Sequence, residues 1–372
     1  MKIYYPDYQN CNAGVSSSVF AYYGVETRIN KIPFVSSLLE SKPRNVLLML
    51  FDGMGIDAVD RHLPEDSFLR RHFVQPLSSV FPPTTTAATT AIQFGLLPAA
   101  HGWLSWALYF PELDCNVELF RNTVYLSDGK PAADYPIANT YMPLPDVYKL
   151  LSGMGGLTEA GSISPFGTIP ADSMDALFGQ AEARCKMPGR HYYYCYWNDP
   201  DDKMHKTGVG SSETKAVITE IDQRVEKLCQ DLAGTDMLLL ATADHGLIDV
   251  RFRFLRDTPE VAAHLLRPMA METRHITFFI KPGHQEAFAR DFNAAYGEDF
   301  MLLTREEVFA QKLFGDGPEH PRFRQSIGDF LAIAKREACL VEGPCKYSEK
   351  FLADHASLTE QEMLVPLFAV RC

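Results

Sequence analysis

Three stretches of the chain are apolar almost without a break, and each stops on acidic residues: "RNVLLMLFDGMG" (44–55), "GRHYYYCYWNDPDD" (189–202) and "TDMLLLATADHG" (235–246). Continuous apolar runs, as opposed to alternating ones, predict strands buried on both faces of a parallel sheet. Between the second and third lies "SSETKAVITEIDQRVEKLCQDL" (211–232), where Val217, Ile218, Ile221, Val225, Leu228 and Leu232 recur at helical spacing. Ser211 or Ser212 can cap its start. Strand, helix and strand make a βαβ unit. The predicted class is therefore α/β: a doubly wound, mainly parallel central sheet with helices on both faces. "MLVPLFAV" near the C-terminus reads as one more buried strand, and "SVFPPTTT" as a short strand running into the helix "TAATTAIQF".

Other stretches carry weaker patterns. Residues 104–188 are rich in Pro, Gly and Ser, with helices predicted around "LPDVYKLLSGMGG" and "SMDALFGQAEAR". Residues 252–346 mix a strand-like "RHITFFIKPG" with a helix-like "HQEAFARDFNAAYG" and read as a small inserted α+β cap. The expected division is a core of 1–251 and 347–372 and a cap of 252–346. At 372 residues the chain exceeds a usual single core, in keeping with such an insertion.

Charge narrows the partners. A formal net charge of −12 argues against nucleic-acid polymers and anionic membrane surfaces. The eight cysteines include no C-x-x-C pair, and the N-terminus lacks the apolar core of a signal peptide. No run approaches a membrane span. The expected setting is the cytoplasm and the expected partner a small molecule, with homo-oligomerisation left open.

In an open parallel sheet, ligands bind beyond the carboxyl ends of the strands. Asp52 ends the first apolar run, Asp199, Asp201 and Asp202 the second with His205 one turn on, and Asp244 and His245 the third. His355 lies in "ADHASLTEQEMLVPL", ahead of the last strand. Each is unremarkable alone, since Asp-Gly is commonly a turn. Together they gather Asp and His at one edge, a donor set suited to zinc or manganese. The same edge receives "FPPTTTAATTAIQFGLLPAAHGW" (81–103). A helix N-terminus there favours an anion, and a threonine hydroxyl beside a divalent cation can act as a nucleophile. For four of the five threonines the ordinary reading is strong: one caps the helix and the others pack.

"LFDGMG", the threonine segment, "NDPDDKMH", "TADHG" and "ADHASLTEQEMLVPL" occur in the order expected of the alkaline phosphatase superfamily, and the chain most resembles its type I phosphodiesterase/nucleotide pyrophosphatase branch. The resemblance runs from about residue 44 to 370. It implies an alkaline phosphatase-like core and a two-metal phosphoric ester hydrolase working through a phosphothreonine. Counting back from "GLLPAAHG" (95–102) places the nucleophile at Thr85, flanked by Thr84 and Thr86. By the same transfer Asp52, Thr85, Asp244 and His245 surround one cation, and Asp201, His205 and His355 hold the other. The two divalent ions are expected to be zinc, with manganese the alternative.

The sequence departs from the branch at Ala88, where an asparagine that holds a phosphoryl oxygen is usual. The sulfatase pattern C-x-P-x-R is missing, and 104–188 is too short for a mutase insert. The leading expectation is a diesterase. A phosphomonoesterase or phosphonate hydrolase of the same superfamily is the alternative, and a non-catalytic metal-binding protein a remote one. Trp103, Trp106 and Tyr109, with Phe110, are candidates to stack on a leaving group, and Arg274 is a second candidate for phosphate contact. His101 is expected to fix its turn.

Overall fold

The computed structural model describes all 372 residues. Its centre is a seven-stranded sheet built from β1 (Asn45–Phe51), β2 (Phe73–Ser78), β3 (Glu159–Ser164), β4 (Ile169–Pro170), β5 (His191–Trp197), β6 (Met237–Thr242) and β7 (Leu364–Arg371). The strand order is β2-β7-β6-β1-β5-β3-β4. β1 pairs in parallel with both β5 and β6, and β5 with β3. The C-terminal β7 runs antiparallel between β2 and β6.

The uninterrupted apolar runs become the middle strands for a plain reason. Both faces of the sheet are covered, so every residue of β1 and of β6 is buried. Burying one leucine such as Leu47 or Leu50 stabilises the fold by about 2 kcal/mol. The helix read between β5 and β6 spans Ser212–Asp231, capped by Ser211, whose Oγ accepts the Thr214 amide. Its Ile218, Ile221, Val225 and Leu228 are buried against the sheet.

Two expectations shift. The strand before the threonines is Phe73–Ser78 and ends ahead of "VFPP", because Pro82 and Pro83 have no N–H to give to a ladder. Residues 104–136, where no strand is predicted, contain a three-stranded antiparallel meander of Ala107–Phe110, Cys115–Glu118 and Thr123–Val124.

The 252–346 segment holds a four-stranded antiparallel sheet of Ala270–Glu272, His275–Phe278, Phe330–Ala334 and Phe300–Thr304, in that order, with the helix Gln285–Tyr296 packed on it through Phe288 and Phe292. It is joined to the rest by a shared apolar cluster. Met271, Leu331 and Ile333 pack with Phe81, Trp103, Leu358 and Met363. No helix is long and apolar enough to cross a membrane.

Candidate active site

Register brings the site together. Asn45 lies opposite both His191 and Met237, so β1, β5 and β6 start level. They end level too, and the chain leaving each strand delivers its acidic residues to one edge: Asp52 after β1, Asp201 a short turn after β5, Asp244 and His245 just after β6. The Asp201 amide donates to the Asp52 carbonyl at 2.9 Å, and the Gly53 amide to Asp244 Oδ1 at 3.0 Å. His205 follows Asp201 by one turn on the helix Asp201–Thr207. The two-residue strand Ala353–Asp354, paired with Ile248–Asp249, delivers His355.

Gly53 is required here. Its φ is +74°, and a Cβ would lie 2.6 Å from Leu247 Cδ1 and 2.9 Å from Asp201 Cβ. Gly53→Ala is expected to cost about 2 kcal/mol or more, from left-handed strain plus overpacking. It should also push Asp52 and Asp201 apart. Denaturant unfolding alongside turnover checks this: a variant as stable and as active as the parent would contradict it.

All three histidines are oriented in the same way. The Nδ1–H of His205 donates to the Ala353 carbonyl at 2.7 Å, that of His355 to Pro83 at 3.2 Å and that of His245 to Gly246 at 3.3 Å. Backbone bonds at Nδ1 leave each Nε2 lone pair for the centre, the usual arrangement of histidine ligands. His205 Nε2 is 3.2 Å and His355 Nε2 3.7 Å from Asp201 Oδ1. His245 Nε2 is 3.4 Å from Asp52 Oδ1 and 3.5 Å from Asp244 Oδ2. Ligand atoms of Asp201, His205 and His355 lie within 4.8 Å of one another, and so do those of Asp52, Asp201 and His245. Asp201 thus stands between two groups that the sequence assigned separately.

Asp52 Oδ1, Asp201 Oδ1 and Asp244 Oδ2 are buried and accept no hydrogen bond. Buried carboxylate oxygens rarely go unsatisfied, since each costs a few kcal/mol. Burial, then the charges of Asp244 and Asp201, holds the Asp52 carboxyl well above its usual range, and burial also raises Asp244. Burial would raise Asp201 too, but the neighbouring His205 outweighs it and brings the carboxyl down. His205 is opposed by burial yet lifted to about 9 by Asp201, while burial and the other two imidazoles push His355 well down. Three carboxylates and three inward-facing imidazoles fit divalent cations, whose charge replaces the protons this cluster otherwise needs.

Thr85 opens the helix Thr85–Phe94, and Thr84 is its N-cap. Thr85 Oγ1 lies 3.4 Å from His245 Nε2, facing the cluster. Thr89 Oγ1 donates to the Thr85 carbonyl, and Thr86 is buried. The structure therefore brings Asp52, Thr85, Asp201, His205, Asp244, His245 and His355 to one place. Asp202 turns away to Lys206 at 2.6 Å.

The expected substrate contacts fare differently. Arg274 is wholly buried, and its guanidinium is taken up by Glu362 in a two-bond pair at 2.8 Å, by Ser357 Oγ and by the carbonyls of Arg336 and Ala338. No donor remains for phosphate, so Arg274 is a structural ion pair. Trp103 is core: its indole N–H donates to the Met142 carbonyl at 2.9 Å. Trp106 is half-buried beside Phe120, with Arg121 over its ring at 5.2 Å. Tyr109 donates to Asp114 at 2.5 Å and carries Arg267 over its ring at 3.7 Å. An arginine thus lies over each of these two rings. His101 fixes its turn, accepting the Trp103 amide at Nδ1, and burial holds it neutral with a pKa lowered to about 3.

Several supporting groups escaped the sequence reading. Tyr196 donates to Asp52 Oδ2 at 2.5 Å. The Asn12 side chain donates to the carbonyls of Ala243 and Asp244 at 3.1 Å. Asp354 accepts the His355 amide through Oδ1, and Thr273 and Tyr347 hydroxyls through Oδ2. The apolar run 191–197 marks Tyr196 as part of a strand, but nothing local marks Asn12.

Fold and site together define an alkaline phosphatase-like α/β hydrolase acting on phosphoric ester bonds. The sequence profile of the type I phosphodiesterase/nucleotide pyrophosphatase family matches residues 146–356, and the chain belongs to that family. Among solved structures, murine ectonucleotide pyrophosphatase/phosphodiesterase 5 is similar over 87% of each chain at 19% identity, with a TM-score of 0.61. The human protein of the same name is similar over 87% of each chain at 19% identity, with a TM-score of 0.63. An inactive threonine-to-alanine variant of the murine protein in complex with AMP is 18% identical over 87% of each chain, with a TM-score of 0.61. No curated protein sequence matches the chain.

Proposed function

We propose that this protein hydrolyses small phosphodiesters through a phosphothreonine intermediate at Thr85. The observation that carries the reading is the Thr85 hydroxyl, 3.4 Å from His245 Nε2, beside three buried carboxylate oxygens that lack any partner. Asp52, Thr85, Asp244 and His245 would hold one divalent cation and Asp201, His205 and His355 the other, with Asp201 close enough to serve both. When bound, the cations supply positive charge that acidifies the hydroxyl and offsets the developing charge on the phosphoryl group.

The chain's own part is positioning. Thr85 Oγ gives up its proton and attacks phosphorus in line, the bond to the leaving oxygen breaks, and that oxygen keeps the electron pair, takes up a proton and departs as the alcohol. Water then attacks the same phosphorus from the vacated side, and Thr85 regains its proton as its oxygen leaves. Tyr196 and Asn12 hold Asp52 and the Asp244 backbone in place during both steps. The first-turn amides of the Thr85 helix, which no side chain caps, are suited to a phosphoryl oxygen and stand in for the asparagine missing at Ala88. The inactive threonine-to-alanine relative in complex with AMP supports a threonine nucleophile and a nucleotide-sized substrate.

Zinc is the favoured cation, and 252–346 the element that bounds the leaving-group side. A cavity of about 340 Å³ supports that role: Met269, Met271, Glu272 and Leu340 from this segment face Asn116 and Tyr125 of the meander. Cavity residue Thr273 donates to Asp354, the neighbour of His355, which sets the cavity beside the cluster.

Side-by-side turnover of bis-p-nitrophenyl phosphate, p-nitrophenyl phosphate and phosphonoacetate tests the substrate class. The diester is expected to lead in kcat/KM by about tenfold or more, equivalent to about 1.4 kcal/mol of differential transition-state binding. A lead for the monoester or the phosphonate would overturn the diester assignment.

A further inference from the structure

Thr84 stands at the N-cap of the nucleophile helix, with φ −137° and ψ 148°, yet its side chain makes no bond to that helix. A threonine in this position ordinarily accepts a first-turn amide. Its hydroxyl is directed elsewhere: it donates to Glu272, 2.9 and 3.0 Å from the two carboxylate oxygens. Glu272 also accepts the Ser105 hydroxyl at 3.0 Å and the Trp106 amide at 2.5 Å. Ser105 and Trp106 lie just beyond the turn "GLLPAAHG" at the far end of the helix. One carboxylate therefore gathers donors from before the helix and from after its closing turn.

Glu272 belongs to neither ligand group, and none of its three partners does. It comes from the short strand Ala270–Glu272 of the 252–346 segment, far from Thr84 in sequence. Three donors converging on one carboxyl group hold its side chain in one rotamer, most strongly when it is ionised. The Thr84–Thr85 peptide is thus gripped on the side away from the helix, and Thr85 Oγ1 is left facing His245 at 3.4 Å. Burial lifts the Glu272 carboxyl to about 7, against the opposing bonds from Trp106, Thr84 and Ser105, so part of the cost of placing it here is borne by the fold.

We infer that Glu272 is a positioning residue for the nucleophile: by taking the Thr84 hydroxyl it keeps the N-cap open and sets the direction of Thr85 Oγ. This rests on Thr85 being the nucleophile. It makes the inserted segment part of the catalytic geometry as well as a wall of the pocket.

The test compares Thr84→Val, Thr84→Ser, Glu272→Ala and the Thr84→Val/Glu272→Ala double variant in steady-state hydrolysis of bis-p-nitrophenyl phosphate, with metal content measured on each. Misdirected nucleophiles lose kcat, so Thr84→Val and Glu272→Ala should each lose about ten- to a hundredfold in kcat with KM within about twofold. Thr84→Ser keeps the hydroxyl and should stay within about threefold of the parent. Because both changes cut one link, the double variant should be no slower than the slower single. Thr84→Val matching the parent, losses that multiply in the double variant, or a loss confined to KM would each overturn the inference. If Glu272→Ala fails to fold, the contrast between Thr84→Val and Thr84→Ser decides alone. A parent protein without diester turnover would sink the proposed function instead; an active, Thr85-dependent parent equalled by Thr84→Val sinks only this inference.

Discussion

Thr85→Ala is expected to lower turnover by at least about a thousandfold while leaving the fold and the bound cations in place. The size reflects the role: the neighbouring threonine hydroxyls that make hydrogen bonds are engaged elsewhere. Thr89 Oγ1 is turned back to the Thr85 carbonyl at 2.6 Å, and Thr84 Oγ1 to Glu272. The change removes only a hydroxyl and a methyl at a helix N1 position, where alanine is well tolerated. Thr86→Ala should keep most activity, and Thr84→Val should fall between. Steady-state kinetics with metal analysis and thermal unfolding on the same preparations check all three. A dead Thr84 variant beside an active Thr85→Ala would mean that the register to the "GLLPAAHG" turn is off by one.

Stripping the divalent cations is expected to abolish activity and to lower the melting temperature, with zinc or manganese restoring both. An ion present at about a thousand times its Kd adds about 4 kcal/mol per site. The effect should depend on pH with a definite sign. In the metal-free chain Asp52 and Asp244 have folded pKa values above their usual ones. A carboxyl raised on folding binds more protons folded than unfolded, so its contribution favours the fold at low pH and is lost as pH rises through the folded value. Asp201 is lowered, an effect of opposite sign that is lost as pH falls. His205, raised to about 9, also favours the metal-free fold below its unfolded value and loses that contribution as pH rises through about 9. Cations take over where the protons leave. The melting difference between loaded and stripped protein should therefore be larger at pH 8 than at pH 5.5. Equal differences, or a stripped protein that keeps full turnover, would count against the cation sites.

How far the site could be read ahead of the structure depended on whether a residue's role is visible along the chain. Asp52, Asp201 and Asp244 were legible because an apolar run that ends abruptly on Asp announces a buried strand and its carboxyl end. Level register among β1, β5 and β6 then does the rest. His205 and His355 were legible as candidates from their places beyond the second run and ahead of the last strand, and the family resemblance assigned them to one cation. Arg274 was misjudged because its partner, Glu362, lies 88 residues away, and a guanidinium answered by a distant carboxylate looks no different in sequence from a free one. Glu272 was overlooked two positions earlier for the same reason: its partners come from Thr84, Ser105 and Trp106. The meander at 107–124 escaped because strands of two to four residues lack both the continuous run and a long alternation. Trp103 shows the limit of aromatic signals, since a ring near a catalytic turn packs in the core as readily as it lines a pocket.

The central claim is that Thr85 is transiently esterified, and the stereochemical course at phosphorus tests it most directly. A P-chiral phosphorothioate diester would be hydrolysed in oxygen-18 water and the configuration of the product determined. Each in-line displacement inverts phosphorus, so attack by Thr85 and then by water predicts net retention. Net inversion would mean that water strikes the substrate directly, and would contradict the covalent threonine on which the account rests.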